Sequence, residues 1–173
     1  MNKNLAKIIN KMVVIDQKMR RKAMKTGIWN KRIDKQNTLK MRRVVKKYGW
    51  PTINMVGKKA SKNAWLLVQH ADHDIKFQKF CFHLMEGIYK ENPKEILKTN
   101  IAYLKDRVLV NEGKRQIFGT QFYTNKKGIF GLWPIKDMKN INKTRKEYNL
   151  PLLSEYQKLI KIYKTSPIKK VIK

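Results

Sequence analysis

The sequence predicts a mainly helical single domain that carries one small β-hairpin. Apolar residues recur at helical spacing through most of the first 112 positions. By contrast, "RQIFGTQFYT" and "GIFGLWPI" concentrate β-formers and aromatics on either side of a turn-like "NKKG". A chain of 173 residues with 42% hydrophobic content is long enough for one core and short for two. These observations place the domain at 1–165, its hairpin near 115–134, and a flexible basic tail at 166–173.

The elements follow in order. Leu5, Ile8, Ile9, Met12 and Val13 share one helical face, so 3–25 reads as an amphipathic helix ended by Gly27, with Asp16, Gln17 and Arg20 interrupting the face. "WNKRIDKQN" reads as a connector, and Asn37 as the N-cap of a second helix bearing Met41, Val44, Val45 and Tyr48. Gly49-Trp50-Pro51 stops that helix in a rigid corner. Gly57 and Ser61 open a third, 61 to about 72, with Ala64, Leu67, Val68 and Ala71 as its stripe and Trp65 widening it. Asp74 caps a fourth, 75–90, with Phe77, Phe80, Cys81, Leu84 and Ile88 inward; these two helices are expected to form a hairpin. After Asn92-Pro93, Asn100 caps a fifth helix that ends at Gly113, although "RVLV" also suits a short strand. Beyond the β-hairpin, "KDMKNINKTRKEYN" returns to helix, and 152–163 forms the last one.

The chain carries 41 basic and 12 acidic residues, a formal charge of +29. The basic residues divide into 33 Lys and 8 Arg, the excess that an AT-rich coding sequence produces without selection for binding. A nucleic-acid groove draws more on the planar Arg fork. The charge still creates a field that attracts polyanions at low salt, so nonspecific nucleic-acid binding is expected of the basic surface. It is uneven: residues 1–60 hold 18 basic and 2 acidic side chains, 61–113 hold 8 and 7, and 114–173 hold 15 and 3. All three histidines fall in the near-neutral middle, where pKa-tuned chemistry is most easily placed. No apolar run approaches the roughly 18–20 residues of a membrane span. No secretion signal is expected of the basic N-terminus, and the lone Cys81 in "KFCFHLM" suits a small buried residue in a reducing compartment. A cytoplasmic location is the expectation.

The densest polar motif is "LLVQHADHD", residues 66–74. Helical zinc pairs favour His at i and i+4, and this segment has His70 and His73 at i and i+3; the ligand count argues against a tightly bound metal. Proton transfer asks for less. An imidazole titrates near neutral pH, so His70 suits an acid or base if Asp72 or another carboxylate fixes its tautomer. His73 and Asp74 read instead as the end of one helix and the cap of the next. A second cluster, "YLKDRVLVNEGKRQIFGTQF", supplies Asp106, Arg107, Gln116, Thr120 and Gln121 on apolar or aromatic elements, where buried polar groups need partners. Arg107 suits a bidentate grip on a carboxylate or phosphate.

The blocks "YGWPTINMVGKKASKNAWLLVQHADHDIKFQ", "AYLKDRVLVNEGKRQIFGTQF" and "NKTRKEYNLPLLSEY" together resemble a bacterial family whose domain has no assigned function. The likeness spans roughly Asp16 to Tyr156. Its pattern maps onto Tyr48–Pro51, Gln69–Asp72, Asp106 with Arg107, and Gly119–Gln121. His73 is less clearly part of it, which speaks against a two-histidine metal site. The resemblance implies no activity.

The resulting expectation is a small-ligand-binding domain, of hydrolase or group-transfer type if an enzyme. Its pocket is framed by the third and fifth helices and the hairpin. His70 is the acid or base, Asp72 or Asp106 the orienting carboxylate, and Gln69, Arg107, Gln116, Thr120 and Gln121 position a small polar or anionic ligand. The alternatives are a basic nucleic-acid-binding protein and a non-enzymatic interaction or immunity-type protein.

Overall fold

A computed structural model describes residues 1–125 and 127–165, with side chains to residue 160. The expected basic tail, 166–173, lies outside the described residues. The fold is mainly helical with one small antiparallel sheet. The helices are α1 (Lys3–Thr26), α2 (Lys31–Tyr48), α3 (Ile53–Val56), α4 (Lys58–Gln69), α5 (Ile75–Glu91) and α6 (Lys98–Asn111). After them come β1 (Phe122–Thr124), β2 (Phe130–Leu132), α7 (Ile141–Glu147) and α8 (Leu153–Thr165).

α1 begins where the Asn2 side chain accepts from Leu5 N at 3.0 Å and ends at Gly27, whose φ of 70° is the left-handed cap that glycine adopts without a Cβ penalty. Only residues 27–30 then connect to α2, because Asn30 rather than Asn37 supplies the cap, accepting from Arg32 N at 3.1 Å. The expected connector is therefore the first turns of α2, and Asn37 is buried within it. Polar residues there concealed a helix whose apolar face starts later. α1 lies along α4, and α5 along α6, so the expected α4–α5 hairpin is the looser of these contacts.

These helices enclose one core around Ile9, Met41, Trp50, Leu67, Val68, Cys81, Met85 and Leu104. Burial pushes the Cys81 thiol up to about 12, as suits an inert core residue. Asp74 does cap α5, accepting from Phe77 N at 3.1 Å. The inward face of α5 is rotated from expectation: Phe77, Gln78, Cys81, Phe82 and Met85 are buried, whereas Phe80 is exposed. The reason is Gln78, whose amide is needed inside. Asn100 is buried in the first turn of α6 rather than capping it, and "RVLV" is helical.

The hairpin pairs Phe122 with Leu132, Tyr123 with Gly131 and Thr124 with Phe130. It is shorter than expected because residues 116–121 form a tight turn instead of a strand. Gln116 bridges to Ile135, closing a loop that α7 and α8 cover. No helix among the described residues is long and apolar enough to cross a membrane.

Candidate functional site

A carboxylate on the core-facing side of an amphipathic helix must find donors, since an unpaired buried charge is costly. Asp16 sits at such a position on α1, between Met12 and Met19, and is 0% exposed. Its oxygens accept from His70 Nδ1 at 3.1 and 3.2 Å, Arg20 Nε at 3.1 Å and Gln17 Nε2 at 2.8 Å. Burial pushes the Asp16 carboxyl up, but the His70 and then the Arg20 interactions more than offset it, holding it below the usual carboxylate range.

α4 delivers His70. The helix ends at Gln69, His70 is its C-cap, and residues 71–74 turn the chain into α5. That turn is held from inside by Gln78 of α5, fully buried, whose Nε2 donates to Val68 O at 3.1 Å, Gln69 O at 3.3 Å and Asp72 Oδ1 at 3.2 Å. Carbonyls at a helix C-terminus lack helical partners, and here a side chain from the next helix satisfies two of them. Asn111 of α6 adds bonds to Asp72 Oδ1 and Gln78 Oε1, each 2.9 Å.

The imidazole is 14% exposed and opens onto a cleft of about 360 Å³ lined by Arg20, Trp29, Lys31, Asp34, Lys35, His70, Asp72 and His73. A carboxylate only accepts hydrogen bonds, so with Asp16 ionised His70 Nδ1 carries a proton. In the neutral ring Nε2 is then the basic nitrogen, and no partner for it occurs among the described residues. The far wall is equally tied: Arg20 Nη2 meets Asp34 Oδ1 at 2.7 Å, Trp29 Nε1 donates to Asp34 Oδ2 at 2.9 Å, and the Arg20 guanidinium lies 4.9 Å over the Trp29 ring. His70–Asp16–Arg20–Asp34–Trp29 is thus one continuous network.

The sequence-predicted residues divide between two places. His70 and Asp72 line the cleft, and so does His73, exposed in the turn. Arg107 Nε approaches Asp72 Oδ1 at 3.4 Å, which joins it to the same side. Asp106 is 0% exposed and belongs to the other place: it accepts from the backbone N–H groups of Ile117 (2.7 Å), Phe118 (3.0 Å) and Thr120 (3.0 Å) and from Thr120 Oγ1 (2.9 Å). Burial raises its carboxyl above the ordinary value although these bonds pull it back. Gln116 spans the same turn, donating to Gln121 O and Trp133 O and accepting from Gln121 N at 2.8 Å. Arg145, fully buried on α7, donates to Phe118 O and Gly119 O, and to Pro151 O.

The Tyr103 carbonyl links the halves, with Gln69 Nε2 and Gln121 Nε2 each 3.4 Å away. His70 takes its carboxylate from Asp16; Asp106 is committed to the 117–120 amides and Asp72 to Gln78, Asn111 and Arg107. Sequence reasoning passed over Asp16, Arg20, Gln78 and Arg145 as site or scaffold residues. Their common signal is a polar residue on an otherwise buried helical face. No group of three or more His, Cys, Asp or Glu poised for a metal ion occurs among the described residues.

Comparison with known proteins finds no curated protein and no solved structure that matches. One family model does match, over residues 5–167 and so across both the cleft and the buried turn, and the chain belongs to that family of unknown function, DUF6624.

Proposed function

We propose that the protein is an acid–base enzyme of hydrolase or group-transfer type, in which His70 moves a proton and Asp16 orients it. The observation that carries this reading is a buried carboxylate on Nδ1 of a histidine whose ring borders an open cleft. A carboxylate so placed selects the tautomer with a basic Nε2 and stabilises the imidazolium that forms when Nε2 takes a proton. Lys31, Lys35, Asp72 and His73 border the space where a small polar or anionic ligand would sit, with Arg107 steadying Asp72. Asp106, Gln116, Thr120 and Gln121 support the site from behind, by fixing the turn that Gln121 carries to Tyr103.

The test is turnover of a panel of carboxylic, phosphoric and amide esters by the wild type, His70→Ala, His70→Gln and Asp16→Asn. The expected result is a substrate whose kcat/KM falls about 100- to 10,000-fold in the folded His70 variants and by a smaller factor in Asp16→Asn. Folded His70 variants with wild-type turnover across the panel would overturn the reading. If both His70 variants fail to fold while Asp16→Asn folds with unchanged turnover, the network is a structural one and the reading also falls.

A further inference from the structure

Resting on that reading, we propose that the substrate is single-stranded RNA, cleaved by internal transesterification between His70 and His73. The first observation is where the negative charge has gone. Residues 1–60 contain 18 basic side chains and only two acids, Asp16 and Asp34. Both acids are spent inside the site network, on His70, Arg20 and Trp29. The exposed charges that α1 and α2 themselves contribute beside the cleft are therefore all cationic, interspersed with exposed apolar residues such as Val14, Ile15 and Leu39. Of these cations, Arg42 is met by Asp74 from the turn before α5. Lys31 and Lys35 line the cleft itself, Lys18 and Lys22 line a second groove between α1 and α2, and no carboxylate pairs with any of the four among the described residues. A lone small anion needs one or two such groups. A field that continues past the cleft along two helices suits a polyanion.

The second observation is the cleft's chemistry. It holds two imidazoles, two lysines, Arg20, and the carboxylates of Asp34 and Asp72, which are tied to Arg20 and to Arg107 respectively. It also holds Trp29, which is 44% exposed, carries the Arg20 guanidinium over its ring and has its indole N–H occupied by Asp34. An exposed aromatic beside a cationic groove is the arrangement on which unpaired bases stack. Among the described residues no Ser, Thr or Cys lines the cleft, so none of them offers a side-chain hydroxyl or thiol to attack. RNA carries its own nucleophile. His70 Nε2 takes the proton of a ribose 2′-OH as O2′ forms a bond to the adjacent phosphorus. The P–O5′ bond breaks, and protonated His73 gives its proton to the departing O5′. The products are a 2′,3′-cyclic phosphate and a 5′-OH, the protons balance, and no other reactant is required. Lys31 and Lys35 offset the charge on the phosphoryl oxygens.

The experiment incubates the full chain, with EDTA present, with an end-labelled single-stranded RNA, the same sequence in DNA, and a fully 2′-O-methylated RNA. The wild type, His70→Ala, Asp16→Asn, His73→Ala and a Lys31→Ala/Lys35→Ala variant are purified in parallel. Expected are RNA fragments ending in 2′,3′-cyclic phosphate, intact DNA and intact methylated RNA, with both intact strands still bound in a salt-sensitive manner. Cleavage should fall at least about 100-fold in His70→Ala, about as far in His73→Ala, and through both kcat and KM in the double lysine variant. Uncut RNA, cleavage unchanged in His70→Ala, fragments ending in 3′-OH, or cleavage of the DNA would each overturn the proposal. If RNA stays intact while a small ester is still turned over through His70, the substrate inference fails and the acid–base reading stands. If RNA stays intact and folded His70 variants match the wild type on every ester, both fail.

Discussion

Asp16 and His70 stand 54 positions apart in the chain and meet at 3.1 Å, the carboxylate buried and the imidazole at the floor of a cleft. The contact fixes which ring nitrogen is protonated, and that is measurable without knowing any substrate. In wild type, long-range ¹⁵N correlation spectra of neutral His70 should show the Nδ1–H form. In Asp16→Asn the neighbouring Arg20 competes for the one remaining acceptor oxygen, so the other tautomer should gain population. The same substitution should lower unfolding free energy by about 1–3 kcal/mol, as expected when a buried, charge-assisted bond is weakened.

The pH dependence of stability follows from the same residue. The folded-state carboxyl of Asp16 titrates below its ordinary 3.8 because His70 and Arg20 outweigh burial. A depressed carboxyl binds its proton more weakly in the folded than in the unfolded protein. Its stabilising contribution is therefore complete above about 3.8 and is lost as pH falls through the folded value. Urea midpoints between pH 6 and 2 should fall more steeply for wild type than for Asp16→Asn, so that the two curves draw together as the pH falls. Asp106 titrates in both proteins and cancels, so the difference reports the Asp16 carboxyl together with its His70 and Arg20 partners. Parallel curves would show that the carboxyl is not depressed by folding.

Asp16 also marks how far the sequence could be read. Helical periodicity depends on neighbours three and four apart, so the long amphipathic helices and the aromatic hairpin were legible, and "LLVQHADHD" stood out as a site. Pairing across 54 residues has no local signature. Asp16 was visible as an interruption in the α1 face, but the choice among Asp16, Asp72 and Asp106 as the partner of His70 is made only when α1 packs along α4. The inward turn of Gln78 escaped for a similar reason. An amide on a helix reads as solvent-facing until a neighbouring helix end presents carbonyls that need it. Asn30 and Asn37 are both acceptable caps by residue type, and hydrophobic spacing favoured the later one.

The turn around Asp106 makes a prediction at Gly119. Its φ is 67°, a region L side chains rarely adopt, and an added Cβ would come within 2.9 Å of Ile135 Cδ1 and 3.0 Å of Leu153 Cδ1. Both contacts are with the ends of side chains that shift at modest cost, so backbone strain and overpacking share the penalty. Gly119→Ala should destabilise by about 2–3 kcal/mol in chemical denaturation. The slackened turn should loosen Tyr103 through Gln121, seen as faster amide exchange at Ile117, Phe118 and Thr120, whose N–H groups Asp106 now holds. Unchanged exchange at those amides would mean that the turn does not depend on this glycine.

Gln78 helps separate fold from site, because it is not itself part of the cleft's lining and reaches it through the backbone behind His70 and through Asp72 Oδ1. Gln78→Leu keeps the volume roughly but removes a donor from Val68 O, Gln69 O and Asp72. Val68 O keeps Ala71 N and Asp72 keeps Asn111, so the Gln69 carbonyl is the one left unmet at a buried helix end. The expected loss is about 1–3 kcal/mol. The Asp16 contact alone should then anchor His70, so its ring resonances should broaden while the Nδ1–H tautomer persists. Asp16→Asn should do the reverse, shifting the tautomer with little broadening. If Gln78→Leu instead shifts the tautomer as Asp16→Asn does, the imidazole is oriented by the α4 terminus and not by the carboxylate, and the assignment of Asp16 as the orienting group fails.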